Sequence, residues 1–312
     1  MNELVTALRT EVGRVVRDAD ATVDALVAAA ALGGHVLLEG PPGVAKTLTA
    51  TALGRALRVD VHRIQLTPDM LPSDITGSVA LRGGELVFRP GPVFCQLLIA
   101  DEINRTPPKT QSALLEAMQE GAVSVDGQRH PLPEPFLLVA TQNPVEHEGT
   151  YPLPEAQLDR FLLKVRVGYP DEAAERELVT APRDGLRPAA LQDVAPVADA
   201  AALLAARATV AETYVHPDVA AYVVGVVRAT RALPSVALGA SPRAGVHLLA
   251  AAQAYARIAG RDFVTPDDVR AAAEPVLAHR IVLAPEAELE GMRDVDAVAA
   301  AVGSVPVPAT AA

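Results

Sequence analysis

The chain has 312 residues, of which 50% are hydrophobic and 21% charged, and this is enough for two domains with a sizeable core. The net charge of −11 gives no long-range attraction to a polyanion, and an aromatic content of 3% argues against a base-stacking surface, so no nucleic-acid partner is expected. The single cysteine, Cys95, cannot form an internal disulfide and gives no sign of an oxidising compartment.

The N-terminal region predicts a helical extension over residues 1–20 and no membrane segment. Residues 1–17 carry charges throughout and lack the apolar stretch of a signal peptide. The longest apolar run, 25–38, is interrupted by Gly33 and Gly34 and is shorter than the roughly 18 to 20 residues that span a bilayer. These features predict a cytoplasmic protein that does not insert into a membrane.

A candidate phosphate-binding loop follows a predicted strand at 36–39, inside a nucleotide-binding domain that we place at 21–170. The loop and the start of the next helix comprise Gly40, Pro41, Pro42, Gly43, Val44, Ala45, Lys46, Thr47 and Leu48. Backbone N–H groups of such a loop, together with a helix N-terminus, favour a bound phosphate. Lys46 would reach the β and γ phosphates of ATP, and Thr47 would be a ligand of Mg²⁺. Because Ala45 stands where the usual pattern has glycine, an ordinary strand-to-helix turn stays open as the alternative.

A second apolar strand, predicted at 97–100, ends in Asp101 and Glu102. This order is typical of a Walker B motif, in which the aspartate supplies an oxygen ligand to Mg²⁺. Glu102 is placed to take a proton from the attacking water. A solvated acidic turn is the alternative for an isolated Asp-Glu pair, and the preceding phosphate-binding loop argues against it.

Three further strands are predicted at 60–65, 136–140 and 161–166. Asn143 follows the strand at 136–140, and the carboxyl ends of strands are where ligands bind in an open parallel α/β sheet. Asn143 could therefore orient the attacking water beside Glu102. The alternative is a turn-forming asparagine before proline.

Two hairpins are predicted inside the nucleotide-binding domain. The first joins 79–82 to 86–88 through the glycine-containing turn 83–85. The second returns from 122–125 through an Asp-Gly turn at 126–127. Either they cover sheet edges or they contact a partner.

A helical domain is predicted at 171–285. Its first helix begins within 171–180, a linker covers 181–197, and the other helices are predicted at 199–214, 217–232, 242–259 and 266–282. Ser241 and Pro242 suit the N-cap and the first helical position, which places Arg243 in an exposed first turn where it can face an anion. The alternative for Arg243 is a solvated surface arginine. The tail at 286–312 is predicted to be flexible.

Four runs of sequence resemble the MoxR family of AAA+ ATPases. They are 101–111 (DEINRTPPKTQ), 114–120 (LLEAMQE), 140–144 (ATQNP) and 154–161 (PEAQLDRF). The loop variant with Ala45 is also similar to that family. The resemblance covers about residues 20–285, and it implies an α/β P-loop NTPase domain, with a parallel sheet flanked by helices, and a C-terminal all-α helical lid. It also implies that the two hairpins point toward a ring pore or a partner-binding face.

The resemblance implies that Asn143 is the sensor 1 residue, that Arg160 is an arginine finger offered to the neighbouring subunit, and that Arg243 is the sensor 2 residue. An ordinary salt bridge with a neighbour such as Asp159 is the alternative for Arg160. A role in trans for Arg105 stays open.

The function implied is a Mg²⁺-dependent ATPase that assembles as a ring, with a hexamer expected, and that remodels or matures a protein client. A partner with a von Willebrand factor type A domain and a role in metal or cofactor insertion come from the resemblance alone. The alternatives are a chelatase-like subunit, a nucleic-acid motor and a nucleotide-gated scaffold. The acidic charge argues against the motor, and an intact Glu102, Asn143 and Arg160 argue against the scaffold.

Overall fold

The computed structural model describes residues 1–144, 149–180 and 191–308. Its strands are β1 (Val36–Glu39), β2 (Val61–Gln65), β3 (Gly77–Arg82), β4 (Glu85–Pro90), β5 (Leu97–Asp101), β6 (Ala122–Val125), β7 (Gln128–Pro131), β8 (Leu137–Gln142), β9 (Leu163–Arg166), β10 (Val236–Leu238) and β11 (Val282–Leu283). Its helices are α1 (Asn2–Val12), α2 (Asp20–Leu32), α3 (Lys46–Ala56), α4 (Pro72–Thr76), α5 (Pro108–Glu120), α6 (Glu155–Leu158), α7 (Glu172–Thr180), α8 (Ala200–Ala211), α9 (Pro217–Thr230), α10 (Pro242–Ile258), α11 (Pro266–Leu277), α12 (Pro285–Leu289) and α13 (Asp294–Ser304).

The central sheet has the strand order β2-β5-β8-β1-β9, and every neighbouring pair in it is parallel. Its strands correspond to the five predicted in the nucleotide-binding domain. The carboxyl ends of β1, β5 and β8 meet at one edge of the sheet, so the residues that follow these strands converge there.

The three central strands β1, β5 and β8 are buried on both faces, because their side chains alternate between two cores. In β5, Leu97 and Ile99 belong to one core, whereas Leu98 and Ala100 belong to the other. The first core includes α1, α2 and α3 and continues into the lid, and the second includes α5. Burial on both faces explains why these strands are almost continuously apolar in sequence.

Helix α1 is an integral part of the structure and not a loose extension. Val5, Leu8 and Val12 are buried, and the helix packs against α2, α3 and α10. The Asn2 side chain donates a hydrogen bond to the Ile258 carbonyl at 2.6 Å, so the N-terminus also touches the lid. None of the helices in the described residues is long and apolar enough to cross a bilayer.

The two predicted hairpins are present, as β3–β4 and β6–β7. The Phe88 ring of the first stacks on the His130 ring of the second, with centroids 3.8 Å apart. Leu81 and Leu86, on either side of the first turn, are 72% and 71% exposed. Within the described residues each hairpin pairs only with itself, so neither extends the central sheet.

The lid helices begin where their capping residues predict. The Asp199 carboxylate accepts from the backbone N–H of Ala202, and the Ser241 hydroxyl accepts from that of Ala244. Helix α11 begins with a capping box and ends at Leu277, short of the predicted 282, because a 3₁₀ turn at Ala278–Arg280 leads into β11. Of the predicted linker, residues 181–190 lie outside the described residues.

The prediction of a flexible tail at 286–312 is wrong for most of that segment. It contains most of α12 and all of α13, and α13 packs against α9 and α11. Ala297, Val298 and Ala301 of α13 are buried. These small apolar residues recur at the spacing of one helix face, although prolines follow them at 306 and 308. The helical lid therefore continues to Ser304, and residues 309–312 lie outside the described part of the chain.

Candidate functional site

The phosphate-binding loop leaves β1 and enters α3, as the sequence predicts. Gly40 has no space for a side chain, because an added Cβ would lie 2.1 Å from the carbonyl oxygen of Val167. Gly43 has a φ of +85°, and Ala45 has a φ of +60° with a ψ of 21°, which is the left-handed conformation. Ala45 therefore carries backbone strain that glycine would avoid, at a cost of about 1–2 kcal/mol.

A cavity of about 440 Å³ lies in front of this loop. It is lined by Pro42, Gly43, Val44, Ala45, Lys46, Thr47, Leu48, Arg63, Gln65, Asp101, Glu102, Thr141, Gln142 and Asn143. The first N–H groups of α3 have no partner within the helix, and Ala45 supplies no side-chain cap, so these donors suit an anion.

Gly40 and Pro41 are the two predicted loop residues that do not line the cavity, but both are bonded to Lys46, which does. Their carbonyls accept hydrogen bonds from the Lys46 ammonium at 2.6 and 2.7 Å. The loop thus holds the Lys46 ammonium at the cavity, where phosphate oxygens could replace the two carbonyls as its partners.

The two predicted metal ligands lie side by side. Thr47 Oγ1 donates to Asp101 Oδ1 at 2.6 Å, and Thr141 Oγ1 donates to the same oxygen at 3.1 Å. A hydroxyl and a carboxylate are hard oxygen donors and fit Mg²⁺, which completes its shell with phosphate oxygens and water. Among the described residues, no group of three or more His, Cys, Asp or Glu side chains could hold a metal ion.

An arginine shares the Asp101 carboxylate with these hydroxyls. Arg63 Nε, from β2, donates to Asp101 Oδ2 at 2.7 Å, and the Asp101 side chain is only 4% exposed. A charge buried to this degree needs such a partner. A divalent cation that binds at Asp101 therefore has to compete with, or lie beside, the Arg63 guanidinium.

Both the backbone N–H and the carboxylate of Glu102 have partners that fix them in place. It has a φ of 58° and a ψ of 54°, and its N–H donates to Thr141 Oγ1 at 3.1 Å. Its carboxylate accepts from Gln65 Nε2 at 2.6 Å and lies 3.3 Å from Arg105 Nε. Strained backbone of this kind is common at functional sites, where the surroundings fix one side-chain direction. Asn143 is 8% exposed and lines the same cavity.

Sequence reasoning missed Arg63, Gln65 and Thr141. The signal was available, because Arg63 and Gln65 are two residues apart on a strand, so they share one face at its carboxyl end. That β2 lies directly beside β5 was not available from the sequence, and this neighbour relation gives both side chains their acidic partners.

A second cavity, of about 340 Å³, lies on the other side of the loop. It is lined by Val15, Val16, Arg17, Asp18, Ala19, Ala21, Thr22, Gly43, Val44, Ala45, Leu48, Thr49, Arg166, Val167, Gly168, Tyr169, Pro170 and Leu178. It shares Gly43, Val44, Ala45 and Leu48 with the phosphate cavity. Its largely apolar lining suits the base of a nucleotide whose phosphates lie on the loop.

Arg160 and Arg243 do not line the phosphate cavity. They line a third cavity, of about 490 Å³, together with Leu32, Gly33, Gly34, His35, Met118, Gln119, Glu120, Leu162, His247 and Ala250. The structure therefore separates the predicted site residues into two groups. One surrounds the loop, and the other contains the two arginines.

The salt-bridge alternative for Arg160 finds no support in the described residues, because Asp159 has other partners. Asp159 Oδ1 accepts from Arg280 Nε at 2.8 Å, and Asp159 Oδ2 lies 3.7 Å from Arg243 Nη1. Burial and the two nearby arginines, Arg280 and Arg243, lower the pKa of His247 to about 4, so its ring is neutral at pH 7. The third cavity thus contains two arginines, of which Arg243 is paired with Asp159, and its lining also includes Glu120.

The parallel sheet, phosphate-binding loop, Asp-Glu pair and helical lid define an ATPase of the AAA type. Residues 35–163 match the ATPase family associated with various cellular activities (AAA), and residues 228–301 match the AAA lid domain. The chain is 47% identical over 277 residues to the protein YeaC of Bacillus subtilis, covering 88% of this chain and 86% of YeaC. It is 46% identical over 288 residues to Chaperone MoxR1 of Mycobacterium tuberculosis, covering 89% of this chain and 75% of that protein.

Among solved structures, a candidate ATPase from Cytophaga hutchinsonii matches with a TM-score of 0.88 and 37% identity, covering 98% of this chain and 96% of that one. The chain belongs to the MoxR family of AAA+ ATPases. The predicted family, the P-loop domain with its helical lid, nucleotide binding and ATPase activity are thereby confirmed.

Proposed function

We propose that this chain is a Mg²⁺-dependent, chaperone-like ATPase that works as a ring, with six subunits expected. The observation that carries the proposal is the division of the site into two cavities. Lys46, Thr47, Asp101 and Glu102 line one cavity, and Arg160 lines another with Arg243. Such a division suits a ring in which each subunit supplies its arginines to the nucleotide of its neighbour.

In this mechanism Thr47 and Asp101 would hold Mg²⁺, which when bound neutralises charge on the phosphates. Lys46 turns from the carbonyls of Gly40 and Pro41 to the β and γ phosphates. The nucleotide base of ATP lies in the second cavity, on the far side of the loop. These contacts bind and align ATP without forming a covalent intermediate.

Hydrolysis then needs a water in line with the leaving phosphate. Glu102 accepts a proton from that water once its carboxylate leaves Gln65, and Asn143 orients the water from β8. Arg160 and Arg243 of the adjacent subunit stabilise the charge that develops on the γ-phosphate.

The work performed on a client is inferred from the family and from the two hairpins. The relative named Chaperone MoxR1 favours a protein client. The exposed Leu81 and Leu86 of the β3–β4 hairpin offer apolar contacts to such a client. A partner with a von Willebrand factor type A domain, a role in metal insertion and a cytoplasmic location remain predictions, as does the absence of a nucleic-acid substrate.

The experiment that tests the catalytic part compares Glu102→Gln with Lys46→Ala. Glu102→Gln should bind ATP within a few-fold of wild type and lower kcat by roughly 10² to 10⁴, the effect of losing a general base. Lys46→Ala should abolish ATP binding. Glu116→Gln, an exposed glutamate on α5, is the matched control and should change neither quantity. Normal turnover by Glu102→Gln would refute the assigned base, and negligible wild-type turnover would favour the scaffold alternative.

A further inference from the structure

One buried side chain connects the lid to the loop that carries Arg160. Arg280 follows α11, and its side chain is only 1% exposed. Its Nε donates to Asp159 Oδ1 at 2.8 Å, and its Nη2 donates to the carbonyls of Phe161 at 2.6 Å and Asp159 at 3.3 Å. Its Nη1 donates to the Leu162 carbonyl at 3.2 Å. All three nitrogens of one guanidinium therefore contact the 159–162 segment.

The same guanidinium is anchored in the lid. Its Nη1 donates to the Val276 carbonyl at the end of α11, and its Nη2 lies 2.8 Å from His247 Nδ1 on α10. Because His247 is neutral, its Nδ1 can accept this hydrogen bond and its Nε2 carries the proton. Arg280 is thus bonded to two lid helices and to the 159–162 segment at once.

The preceding residue reinforces this connection. His279 is buried, and its Nε2 lies 3.1 Å from the Phe161 carbonyl, to which it can donate. Two consecutive lid residues therefore bond the backbone immediately after Arg160. The Asp159 carboxylate, immediately before Arg160, is shared between Arg280 and Arg243. Arg160 is consequently flanked on both sides by positions that the lid holds.

We propose that Arg280 is a positioning residue, which fastens the 159–162 segment to the lid and so sets Arg160 and Arg243 in one arrangement. Movement of the lid is then transmitted to the arginines that the subunit offers to its neighbour. The proposal rests on the ring mechanism proposed above. Arg280 itself lines none of the three cavities described, so it acts through Arg160 and Arg243.

The variant Arg280→Met keeps much of the side-chain length and removes every donor. We expect kcat to fall about 10- to 100-fold, the scale of a misplaced catalytic group, with KM for ATP within about three-fold of wild type. Arg257→Met is the control, since Arg257 is a lid arginine that bonds Thr213 within the lid. It should leave both constants close to wild type.

Mixing experiments separate positioning from general damage. An Arg280→Met subunit has an intact phosphate loop and a misplaced Arg160, so Lys46→Ala subunits should restore activity to it. About a quarter of the interfaces would be competent in a random equal mixture of such subunits. Arg160→Ala subunits should not restore it, because both subunits then lack a working finger.

Three results would contradict this assignment. Rescue by Arg160→Ala but not by Lys46→Ala would show that Arg280 serves the pocket of its own subunit. Failure of both mixtures, while Arg160→Ala and Lys46→Ala rescue each other, would show a purely structural role. If those two variants co-assemble without mutual rescue, the ring mechanism itself fails, and this proposal falls with it.

Should Arg280→Met fail to fold, Arg280→Lys replaces it in the same mixtures. Lysine keeps a charge beside Asp159 but loses the planar fork that reaches several carbonyls at once. We expect the same rescue pattern with a smaller loss of kcat. An Arg280→Lys enzyme with wild-type kcat and wild-type response to both mixtures would overturn the proposal.

Discussion

Gln65, on the edge strand β2, donates a hydrogen bond from its Nε2 to the Glu102 carboxylate at 2.6 Å. It therefore holds this carboxylate on the side of β5 that lies away from the phosphate-binding loop. The strand order β2-β5-β8-β1 makes this direction unambiguous, because the loop follows β1. The catalytic base that we propose is therefore restrained until Gln65 releases it.

Gln65→Ala should raise the unstimulated rate of ATP hydrolysis several-fold. A hydrogen bond to a charged group contributes about 1.5–3 kcal/mol, and its removal lowers the cost of turning Glu102 toward the water. Steady-state phosphate release measures the effect, and Gln192→Ala, at an exposed lid-side position, is the control. A fall in rate would instead show that Gln65 orients Glu102 productively.

Arg160→Ala should bind ATP normally and hydrolyse it far more slowly, since a finger contributes about 10³ to 10⁵ in rate. If the finger acts between subunits, as we propose, the specific activity of the wild-type enzyme should rise with protein concentration where the ring is partly assembled. Activity assays over a dilution series, paired with light scattering, check both points. Constant specific activity through dissociation would place Arg160 in its own subunit's site.

Ala45→Gly should stabilise the fold by up to about 1 kcal/mol. Glycine relieves the left-handed strain, but it also raises the entropy of the unfolded chain, which offsets part of the gain. Ala201→Gly, at an exposed position in α8, should destabilise the fold by about 0.5–1 kcal/mol, because glycine relieves no strain there and only raises the entropy of the unfolded chain. Urea unfolding of both variants measures the difference. Equal destabilisation would mean that Ala45 is unstrained.

Val298→Asp should destabilise the protein by about 3–5 kcal/mol, because it places an unpaired carboxylate where α13 packs against α9 and α11. Val298 is 2% exposed, whereas Val307 is 53% exposed and its substitution by aspartate should be nearly neutral. Thermal unfolding of the two variants tests whether α13 belongs to the folded body. If Val298→Asp leaves thermal unfolding unchanged, α13 does not belong to the folded body and the prediction of a flexible tail holds.

Acidification from pH 7 to pH 5 should destabilise the protein by about 2 kcal/mol through His35 alone. Burial lowers the pKa of His35 from 6.5 to about 4, and its Nδ1 accepts a hydrogen bond from the Leu138 N–H. The unfolded chain binds the proton more readily, so stability is complete above the unfolded pKa and falls as pH drops toward about 4. His35→Gln should flatten this part of the pH dependence in urea unfolding, and an unchanged slope would exclude His35 as its source.

The sequence identified the loop, the Asp-Glu pair and the central strands because each has a local pattern. Apolar runs of four or five residues predict buried strands, and Lys46 and Thr47 follow the first of them. Contacts between distant segments have no such pattern. The pairing of Gln65 with Glu102 depends on strand order, and the hold of Arg280 on Asp159 joins residues 121 positions apart.

Helix α13 shows a different reason for a missed element. Its alanines and valines are weakly hydrophobic one by one, and they form a stable helix face only because α9 and α11 provide a surface that buries them. Tertiary packing, more than local propensity, determines such a helix.

The separation of Arg160 from the phosphate loop also has a genetic consequence. In a ring where each working site is completed by the adjacent copy, a chain altered at either cavity disables a site that it shares with a normal chain. Two alleles altered at different cavities should therefore complement each other when they are co-expressed, because about a quarter of the sites then combine an intact phosphate loop from one product with an intact Arg160 from the other.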